Sequence, residues 1–507
     1  MSAPRVVVIG AGLGGLAAGI RLAARGFRVT IVEKRAQAGG RAGVFTSEGF
    51  TFDTGPTVIT APFLLDELWA LAGRRREDDL DLIPVDPFYR LRFHDGSTID
   101  YRADRAAMAE AIRAFSGPDD VDGYERFVRD SKAIYEVGFE KLADQPFDSL
   151  WSMLRIVPKM VQLRSFQSVY GFVSRYVRDE RLRILLSFHP LLVGGNPFTT
   201  TSIYTLITFL ERSFGIWFPR GGTYAMVRAM TALFESLGGE LRTDAEVTEI
   251  SVERGLASGV RLADGTQLPA DWVVSNGDPA FVYRKLLPAA GRGGYSDARL
   301  DRMRYSMGLA VVYLGARRQW PELAQHTIVF GPRYRELLDD LFEGTAMPED
   351  FSLYLHAPTR TDASLAPPGG ETLYALVPVP NLRAPIDWEV EGPTLRERIL
   401  DRLEETCLPR LRASLATQSM VTPVHFRDDL LSAYGAGFSI QPILTQSAWF
   451  RFHNRASSLP NLLFVGAGTH PGAGVPGVLS SAKVVDRLIP DDGGTGNARD
   501  PIAGSHA

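Results

Sequence analysis

Cysteine is nearly absent from this chain of 507 residues, in which Cys407 is the only one. An intrachain disulfide is therefore impossible, and metal sites built from several thiolates are excluded. The eight histidines are scattered, with no H-E-x-x-H or other ligand spacing, so we predict no metal site. Excess positive charge is also lacking, because the formal net charge is -4, and nothing in this balance indicates a nucleic-acid partner.

Uncharged runs long enough to cross a bilayer are rare. The longest covers 184–210, but Pro190, Gly194, Gly195 and Pro197 interrupt its middle and would leave backbone groups unsatisfied in lipid. We therefore reject a transmembrane helix there. The chain also runs directly into "RVVVIGAG" without the flanks of a signal peptide, and with the single cysteine this predicts a cytoplasmic protein.

The N-terminal segment "RVVVIGAGLGGLAAGIRLAARGFRVTIVEK" predicts a strand, a glycine-rich turn, a helix and a second strand. Gly10, Gly12 and Gly15 fill the pattern G-x-G-x-x-G. The first two glycines permit a tight turn close to a pyrophosphate, and the third allows the helix and strand to pack closely. Glu33 ends the second strand and can accept hydrogen bonds from ribose hydroxyls. This order of elements predicts a dinucleotide-binding unit.

A second glycine turn, "GGRAG", follows shortly after Glu33. Gly39 and Gly40 precede Arg41, whose side chain can follow a phosphate chain further than the first turn reaches. Asp53 and Gly55 then close another small turn after the "GFTFD" strand. A plain β-meander is the alternative interpretation. The glycine doublet with its arginine resembles FAD-containing amine oxidases and desaturases, which favours FAD over NAD.

The middle of the chain predicts strands and hairpins. The string "LRTDAEVTEISVE" alternates apolar and polar residues as a half-buried strand does, and Asp264-Gly265 is a strong two-residue hairpin signal. "RFHDGSTIDY" predicts another hairpin, to which we assign only a structural role.

A third glycine-rich turn lies near the end of the chain, in "NLLFVGAGTHPGAGVPGVLSSAKVVDRLI". Here a buried strand again leads through glycines into a helix, whose N-terminus can stabilise negative charge on a reduced flavin. We therefore expect both ends of the chain to meet on one long cofactor. His470 lies inside the turn, where it could hydrogen-bond the flavin ring or only stabilise the turn. The cofactor-binding residues predicted in this turn are Gly466, Gly468, Gly474 and Val475.

Several long strings resemble the bacterial phytoene desaturases of carotenoid synthesis, among them "SFHPLLVGGNPFTTTSIYTLITFLERSFGIWFPRGGTYAMV", "SIQPILTQSAWFRFHNR" and "VGAGTHPGAGVPG". The resemblance runs from about Arg5 to Ile489. The more general amine oxidase pattern has an acid after the first glycine of the last turn. Ala467 occupies that place here, which disfavours amine oxidation and agrees with the desaturase group.

The resemblance implies an α/β protein with a Rossmann-like FAD-binding fold of the amine oxidase type, an inserted α+β substrate domain and a helical membrane-contacting segment. It implies FAD as the only cofactor, with the backbone of Val247 against the adenine. It further implies stepwise hydride removal from the polyene phytoene, yielding neurosporene or lycopene, with oxygen or a quinone as the electron acceptor. Few side-chain catalysts are then expected. Glu211 is either a proton acceptor or merely the solvent end of its helix.

A hydrocarbon substrate of this kind already lies in lipid, so the enzyme must meet it at the bilayer. The segment 149–178 has no acidic residue, and its basic residues alternate with Trp151 and other large apolar side chains. This pattern suits helices lying in the headgroup region, and it predicts peripheral membrane attachment. An amphipathic helix packed on the core is the alternative. Arg155 could act catalytically in the substrate channel, although contact with surface phosphate fits it better.

The motif positions predict a discontinuous FAD domain made of 1–80, 220–285 and 420–489. Residues 81–219 and 286–419 would form the substrate and membrane-contacting domain, and 490–507 a disordered tail. Three alternatives to a phytoene desaturase stay open: a desaturase of a modified carotenoid, an FAD oxidase of amines or porphyrinogens, and a non-enzymatic lipid carrier of related fold. Intact glycines at both ends of the chain argue against the carrier, and Ala467 argues against the oxidase.

Overall fold

The computed structural model describes residues 3–147, 150–491 and 493–494, and these ranges contain nineteen strands and sixteen α-helices. The strands are β1 Arg5–Ile9, β2 Arg28–Val32, β3 Val44–Ser47, β4 Phe50–Asp53, β5 Leu82–Pro84, β6 Tyr89–Arg92, β7 Thr98–Tyr101, β8 Trp217–Pro219, β9 Glu240–Arg242, β10 Val247–Glu253, β11 Leu256–Leu262, β12 Gln267–Pro269, β13 Trp272–Ser275, β14 Gly308–Ala316, β15 His326–Val329, β16 Leu353–His356, β17 Glu371–Val379, β18 Leu415–Val421 and β19 Leu462–Phe464.

The helices follow the same order along the chain. They are α1 Leu13–Ala24, α2 Phe63–Leu71, α3 Arg105–Ser116, α4 Pro118–Gly138, α5 Leu150–Gln162, α6 Val169–Val173, α7 Glu180–Ser187, α8 Leu206–Phe214, α9 Thr223–Ser236, α10 Pro279–Phe281, α11 Asp297–Arg302, α12 Tyr334–Glu343, α13 Trp388–Thr406, α14 Leu411–Ser414, α15 Pro423–Asp428 and α16 Val475–Leu488.

A five-stranded parallel sheet joins segments from the start, the middle and the end of the chain. Its order is β19-β13-β1-β2-β9, and Ile9, Ser275 and Phe464 lie in register at the carboxyl ends of three neighbouring strands. Residues 6–9 of β1 are all buried, as expected for a strand covered on both faces. The turns that follow β1, β13 and β19 therefore meet at one edge of the sheet, where α/β proteins bind ligands.

Helices cover one face of this sheet, and a smaller sheet covers the other. Helix α1 packs against α9 and α16, and it ends before Gly26, whose φ of 86° is the left-handed conformation common after a helix. On the opposite face, the antiparallel sheet β10-β11-β12 shares a core with Val7 and Ile9. The parallel sheet is thus buried on both sides.

A seven-stranded sheet is the second large sheet of the molecule. Its order is β18-β14-β17-β16-β15-β6-β7, antiparallel throughout except where β6 runs parallel to β15. The pairing of β6 with β15 brings Tyr89 and the residues after it beside a part of the chain that lies much later in sequence. Helices α3, α4, α6 and α7 share a hydrophobic core with β6, β7 and α12.

The predicted α/β fold class is confirmed. Both Asp-Gly hairpins form, between β6 and β7 and between β11 and β12. The single strand predicted over "LRTDAEVTEISVE" is wrong, because the chain turns at Asp244, which has a φ of 51°, and divides this segment into β9 and β10. Alternation alone did not reveal that the two halves pair in different sheets.

Among the described residues, no helix is both long and apolar enough to cross a membrane. The tail predicted over 490–507 falls mostly outside the described residues, as does residue 149 of the predicted membrane-contacting segment.

Candidate active site

The glycine turns from the two ends of the chain meet at the edge of the parallel sheet. The N–H of Gly10 donates to Val32 O at 2.7 Å, which holds the first turn against β2. The N–H of Gly39 donates to Ala11 O at 2.8 Å and joins the second turn to the first. A Cβ added at Gly14 would lie 3.1 Å from the Cα of Gly466, so the first and last turns approach through backbone alone.

The side chain of Asn276 lies between the first and last glycine turns. A Cβ at Gly12 would be 2.6 Å from its Nδ2, and a Cβ at Gly14 or Gly466 would be 2.6 Å from its Oδ1. A Cβ at any of these three positions would displace the Asn276 side chain, and the φ of 104° at Gly466 also favours glycine. Sequence reasoning missed the roles of Gly14 and Asn276, although a polar residue directly after a buried parallel strand is the available signal for a ligand edge.

Glu33 is buried at the end of β2 and lines the same cavity. Its Oε2 accepts a hydrogen bond from Ala11 N–H at 2.8 Å, and its Oε1 accepts one from Arg35 N–H at 3.1 Å. Each carboxylate oxygen has a second lone pair available for a ribose hydroxyl. The carboxylate is thus oriented by backbone before any ligand binds.

Arg41 and Asp278 place opposite charges in the cavity wall, where each acts electrostatically on the other. Arg41 donates to Ser432 Oγ at 3.2 Å, while its buried Nε has no hydrogen-bond partner. Burial lowers the pKa of Arg41, and it raises the pKa of Asp278, whose Oδ2 also has no partner. A buried guanidinium with a free donor suits an anionic ligand such as a phosphate.

Most of the predicted cofactor-binding residues line one continuous cavity of about 570 Å³. Gly15, Gly468, Asp53 and Arg155 do not line it. Gly15 instead packs α1 on β1, since a Cβ there would overlap the carbonyl oxygen of Gly10. The predicted residues in the wall are Gly10, Gly12, Glu33, Gly39, Gly40, Arg41, Gly55, Val247, Gly466, His470, Gly474 and Val475.

Asp53 contacts a helix rather than the cavity. Its carboxylate accepts hydrogen bonds from the N–H groups of Thr223 at 2.7 Å and Tyr224 at 3.1 Å, at the start of α9. Burial raises the pKa of Asp53 to about 6, although these two bonds oppose the shift. Asp53 therefore fixes α9 beneath the second glycine turn.

His470 is buried and lines the cavity. Its Nε2 lies 3.0 Å from Leu142 O and donates to it, whereas Nδ1 has no partner. Burial lowers the pKa of His470 to about 4, so the ring is neutral near pH 7. The role of His470 toward a bound flavin stays a prediction.

Beyond the glycine turns, the cavity becomes apolar. We call this the apolar half; it is lined by α5, α8, the segment 188–204 and the seven-stranded sheet, with Met153, Ile156 and Met160 contributed by α5. Glu211 also lines it and is fully buried. The alternative that placed Glu211 at the solvent end of its helix is therefore wrong. Arg155 is exposed on the outer side of α5.

A model of the flavin containing amine oxidoreductase family matches residues 13–485. A lycopene-forming phytoene desaturase from Pseudescherichia vulneris is 53% identical over 489 residues, which are 96% of this chain and 99% of that protein. The chain belongs to the phytoene desaturase family of flavin-containing amine oxidoreductases. A neurosporene-forming phytoene desaturase from Rhodobacter capsulatus is 45% identical over 96% of this chain and 94% of its own.

Solved structures agree on the fold. Cyclohexylamine oxidase from Brevibacterium oxydans superimposes with a TM-score of 0.60, covering 96% of this chain and 99% of its own, at 18% identity. Such a low identity supports the amine oxidase fold and nothing about substrate.

As a member of this family, the chain is an FAD-dependent oxidoreductase. The residues in the cavity fit FAD. The glycine turns leave space that a Cβ would occupy, a backbone N–H group orients the Glu33 carboxylate, and the Nε of Arg41 has no hydrogen-bond partner. We assign Glu33 to the ribose, Arg41 to the phosphates and Val247 to the adenine as predictions. Because α16 begins at Val475, its N-terminal N–H groups face the same cavity.

Proposed function

We propose that this member of the phytoene desaturase family removes hydrogens stepwise from phytoene and forms neurosporene or lycopene. One observation carries the proposal: a single cavity joins the glycine turns to the apolar half. Among the described residues, the wall contributed by α4 to α8 and the seven-stranded sheet contains no lysine or arginine. Apart from Glu211, this wall consists of uncharged residues and suits apolar contact with a hydrocarbon. The lycopene-forming and neurosporene-forming relatives support the same activity.

Bound FAD supplies a two-electron acceptor that takes a hydride from the substrate. The protein orients the polyene along the apolar half and excludes water from the reacting carbons. No side chain needs to activate the carbon that loses hydride, because the adjoining unsaturation stabilises it. Oxygen or a quinone as the final acceptor stays part of this proposal.

The test is incubation of the FAD-loaded protein with liposomes that contain phytoene, followed by chromatography and visible absorbance of the extracted polyenes. We expect new bands from longer conjugation, and their positions count the desaturation steps. Phytoene recovered unchanged from protein that retains its flavin would contradict the proposal. A modified carotenoid would then be the next substrate to test.

We further propose that the protein attaches peripherally to the membrane through one apolar surface. This surface, which we call the α5 patch, contains Trp151, 74% exposed, and Phe166, 62% exposed. The turn 448–450 packs against α5 and adds Phe450. Exposed apolar groups of this size mark interaction sites. The remaining members of the patch are Leu154, Val157, Val161 and Leu444.

Helix α5 has two apolar faces with different environments. Met153, Ile156 and Met160 face the cavity, while the α5 patch faces outward. A polyene that leaves the bilayer at the α5 patch would therefore reach the cavity after passing only α5 and the residues beside it. Exposed Arg155 and Lys159 on the same helix are suited to lipid phosphates.

Vesicle flotation tests the patch. We expect the double variant Trp151→Ser and Phe166→Ser to bind anionic vesicles about tenfold or more weakly, because two large apolar side chains no longer insert. Val390→Ser is the matched control, since Val390 is 62% exposed on α13 outside the patch. Equal flotation of the double variant and the control would contradict attachment through α5.

A further inference from the structure

Glu211 is a buried acidic residue in the wall of the apolar half. It lies on α8 with none of its surface exposed. Its Oε1 accepts a hydrogen bond from the hydroxyl of Tyr89 at 2.7 Å, and its Oε2 lies 3.0 Å from Nε2 of His189. Both neighbours are buried as well. When Glu211 is ionised, His189 donates through Nε2–H.

The Glu211 carboxyl group lacks a lysine or arginine partner among the described residues. Within the part of the chain that the structure describes, neither lysine nor arginine pairs with Glu211, and the adjacent Arg212 donates instead to the carbonyls of Arg102 and Ala103. A buried carboxyl group without a lysine or arginine partner is costly compared with an amide or an apolar residue. If this residue served only to join α8 to β6 by hydrogen bonds, a glutamine would suffice.

Glu211 also stands apart from the other acids of the cavity. Those acids belong to the half that contains the glycine turns, together with Lys34 and Arg41. Glu211 is the one carboxyl among the described residues of the apolar half, where the polyene would lie. The other acidic lining residues are Glu33, Glu246, Asp278 and Asp429.

The two hydrogen-bond partners, Tyr89 and His189, hold the Glu211 carboxyl group in one orientation. Burial and the Glu211 charge raise the pKa of Tyr89 well above its ordinary value, so its hydroxyl stays a donor. His189 Nδ1 has no hydrogen-bond partner, and the ring stacks on Phe188 with centroids 4.3 Å apart. A buried carboxyl group that is held in one orientation in a substrate cavity is a candidate for proton transfer.

We propose that Glu211 is the base that takes the proton in each desaturation step, an inference that rests on the proposed function. One C–H bond of the CH2–CH2 unit breaks with its electron pair leaving as hydride to the bound flavin. The neighbouring C–H bond breaks heterolytically: its proton goes to the Glu211 carboxylate, and its electron pair forms the new C=C bond. Oxygen or a quinone takes up this proton when it reoxidises the cofactor, and the carboxylate is regenerated.

Anaerobic single-turnover reduction of bound flavin by phytoene in vesicles tests this base. We expect Glu211→Gln to retain FAD at the wild-type ratio and to be reduced about 10²–10⁴-fold more slowly. Glu211→Asp should be intermediate. Glu371→Gln is the matched control, because Glu371 is a fully buried glutamate of β17 that does not line the cavity. Flavin reduction in Glu211→Gln within about threefold of wild type would overturn the proposal.

A second measurement starts from the wild-type protein and stays informative even if the variant does not fold. The infrared difference spectrum of the wild type, before and after reduction by phytoene, should gain a carboxylic-acid carbonyl band that shifts in deuterated water. Absence of this band, or its persistence in Glu211→Gln, would overturn the assignment. If phytoene does not reduce the flavin of the wild-type protein, the proposed function itself is contradicted.

Discussion

Three buried histidines, His326, His356 and His470, keep their imidazoles neutral in the folded protein. Burial lowers the pKa of His326 to about 3 and that of His470 to about 4, and it lowers the pKa of His356 well below its ordinary value. The unfolded chain binds protons at these groups below about pH 6.5, where the folded protein does not. Their contribution to stability is therefore complete above pH 6.5 and is lost as the pH falls.

Replacing His326 by asparagine tests this linkage at a single residue. Asparagine can keep a partner for the Tyr354 hydroxyl, which lies 2.7 Å from Nδ1 of His326, but it does not titrate. We expect the free energy of unfolding to depend less steeply on pH below about 6.5, with the difference in slope rising to about 1.4 kcal/mol per pH unit near pH 5. Urea unfolding at several pH values measures this slope. His94→Asn, at an exposed position, should leave it unchanged, and an unchanged slope in His326→Asn would contradict the prediction.

At the scale of elements, the first helix depends on close approach to the first strand. Gly15 faces the carbonyl of Gly10 across the turn, whereas a Cβ at Gly392 in α13 would be 3.6 Å from its nearest neighbour, Thr422 Cγ2. The two glycines both lie inside helices, but only the first is required by packing. G-x-G-x-x-G spacing predicted this requirement from sequence.

Alanine at Gly15 should therefore destabilise the protein by about 1–3 kcal/mol or more through overpacking, and it should reduce the FAD content because the first turn shifts. Gly392→Ala should cost less stability than Gly15→Ala, since a Cβ there meets no close neighbour from another element and only Pro393, the next residue, opposes the helix preference of alanine. Thermal unfolding and the flavin-to-protein absorbance ratio measure both effects. Wild-type stability and flavin content in Gly15→Ala would refute the packing role.

For the whole molecule, one parallel sheet and one cavity join parts of the chain that are far apart in sequence. The parallel sheet takes β1 and β2 from the first segment of the predicted FAD domain, β9 and β13 from the second and β19 from the third. The division into two domains at the stated boundaries stays a prediction.

Removal of FAD should loosen both ends of the chain together. We expect amide hydrogens of 10–15 and 466–474 to exchange faster in the apoprotein, because both turns lose the same ligand, while peptides from α13 keep their exchange rates. Hydrogen-exchange mass spectrometry of the apoprotein and holoprotein measures this. Faster exchange at 10–15 alone would contradict a cofactor shared by the two turns.

The sequence by itself determined the local motifs: the strand, turn and helix after Arg5, the glycines that later line the cavity, and the apolar, basic segment of α5. Each of these signals depends on neighbouring residues, on fixed spacing or on glycine conformation. They also sufficed to predict the flavoprotein fold and the resemblance to phytoene desaturases.

Only the tertiary structure decided which side chains meet. Asn276 joins two glycine turns, Asp53 contacts α9 instead of the cavity, and Glu211 is buried beside Tyr89 and His189. These contacts connect residues on different elements, so their geometry depends on how sheets and helices pack. No periodicity or spacing encodes that packing, because burial and hydrogen bonding at one residue depend on distant parts of the chain.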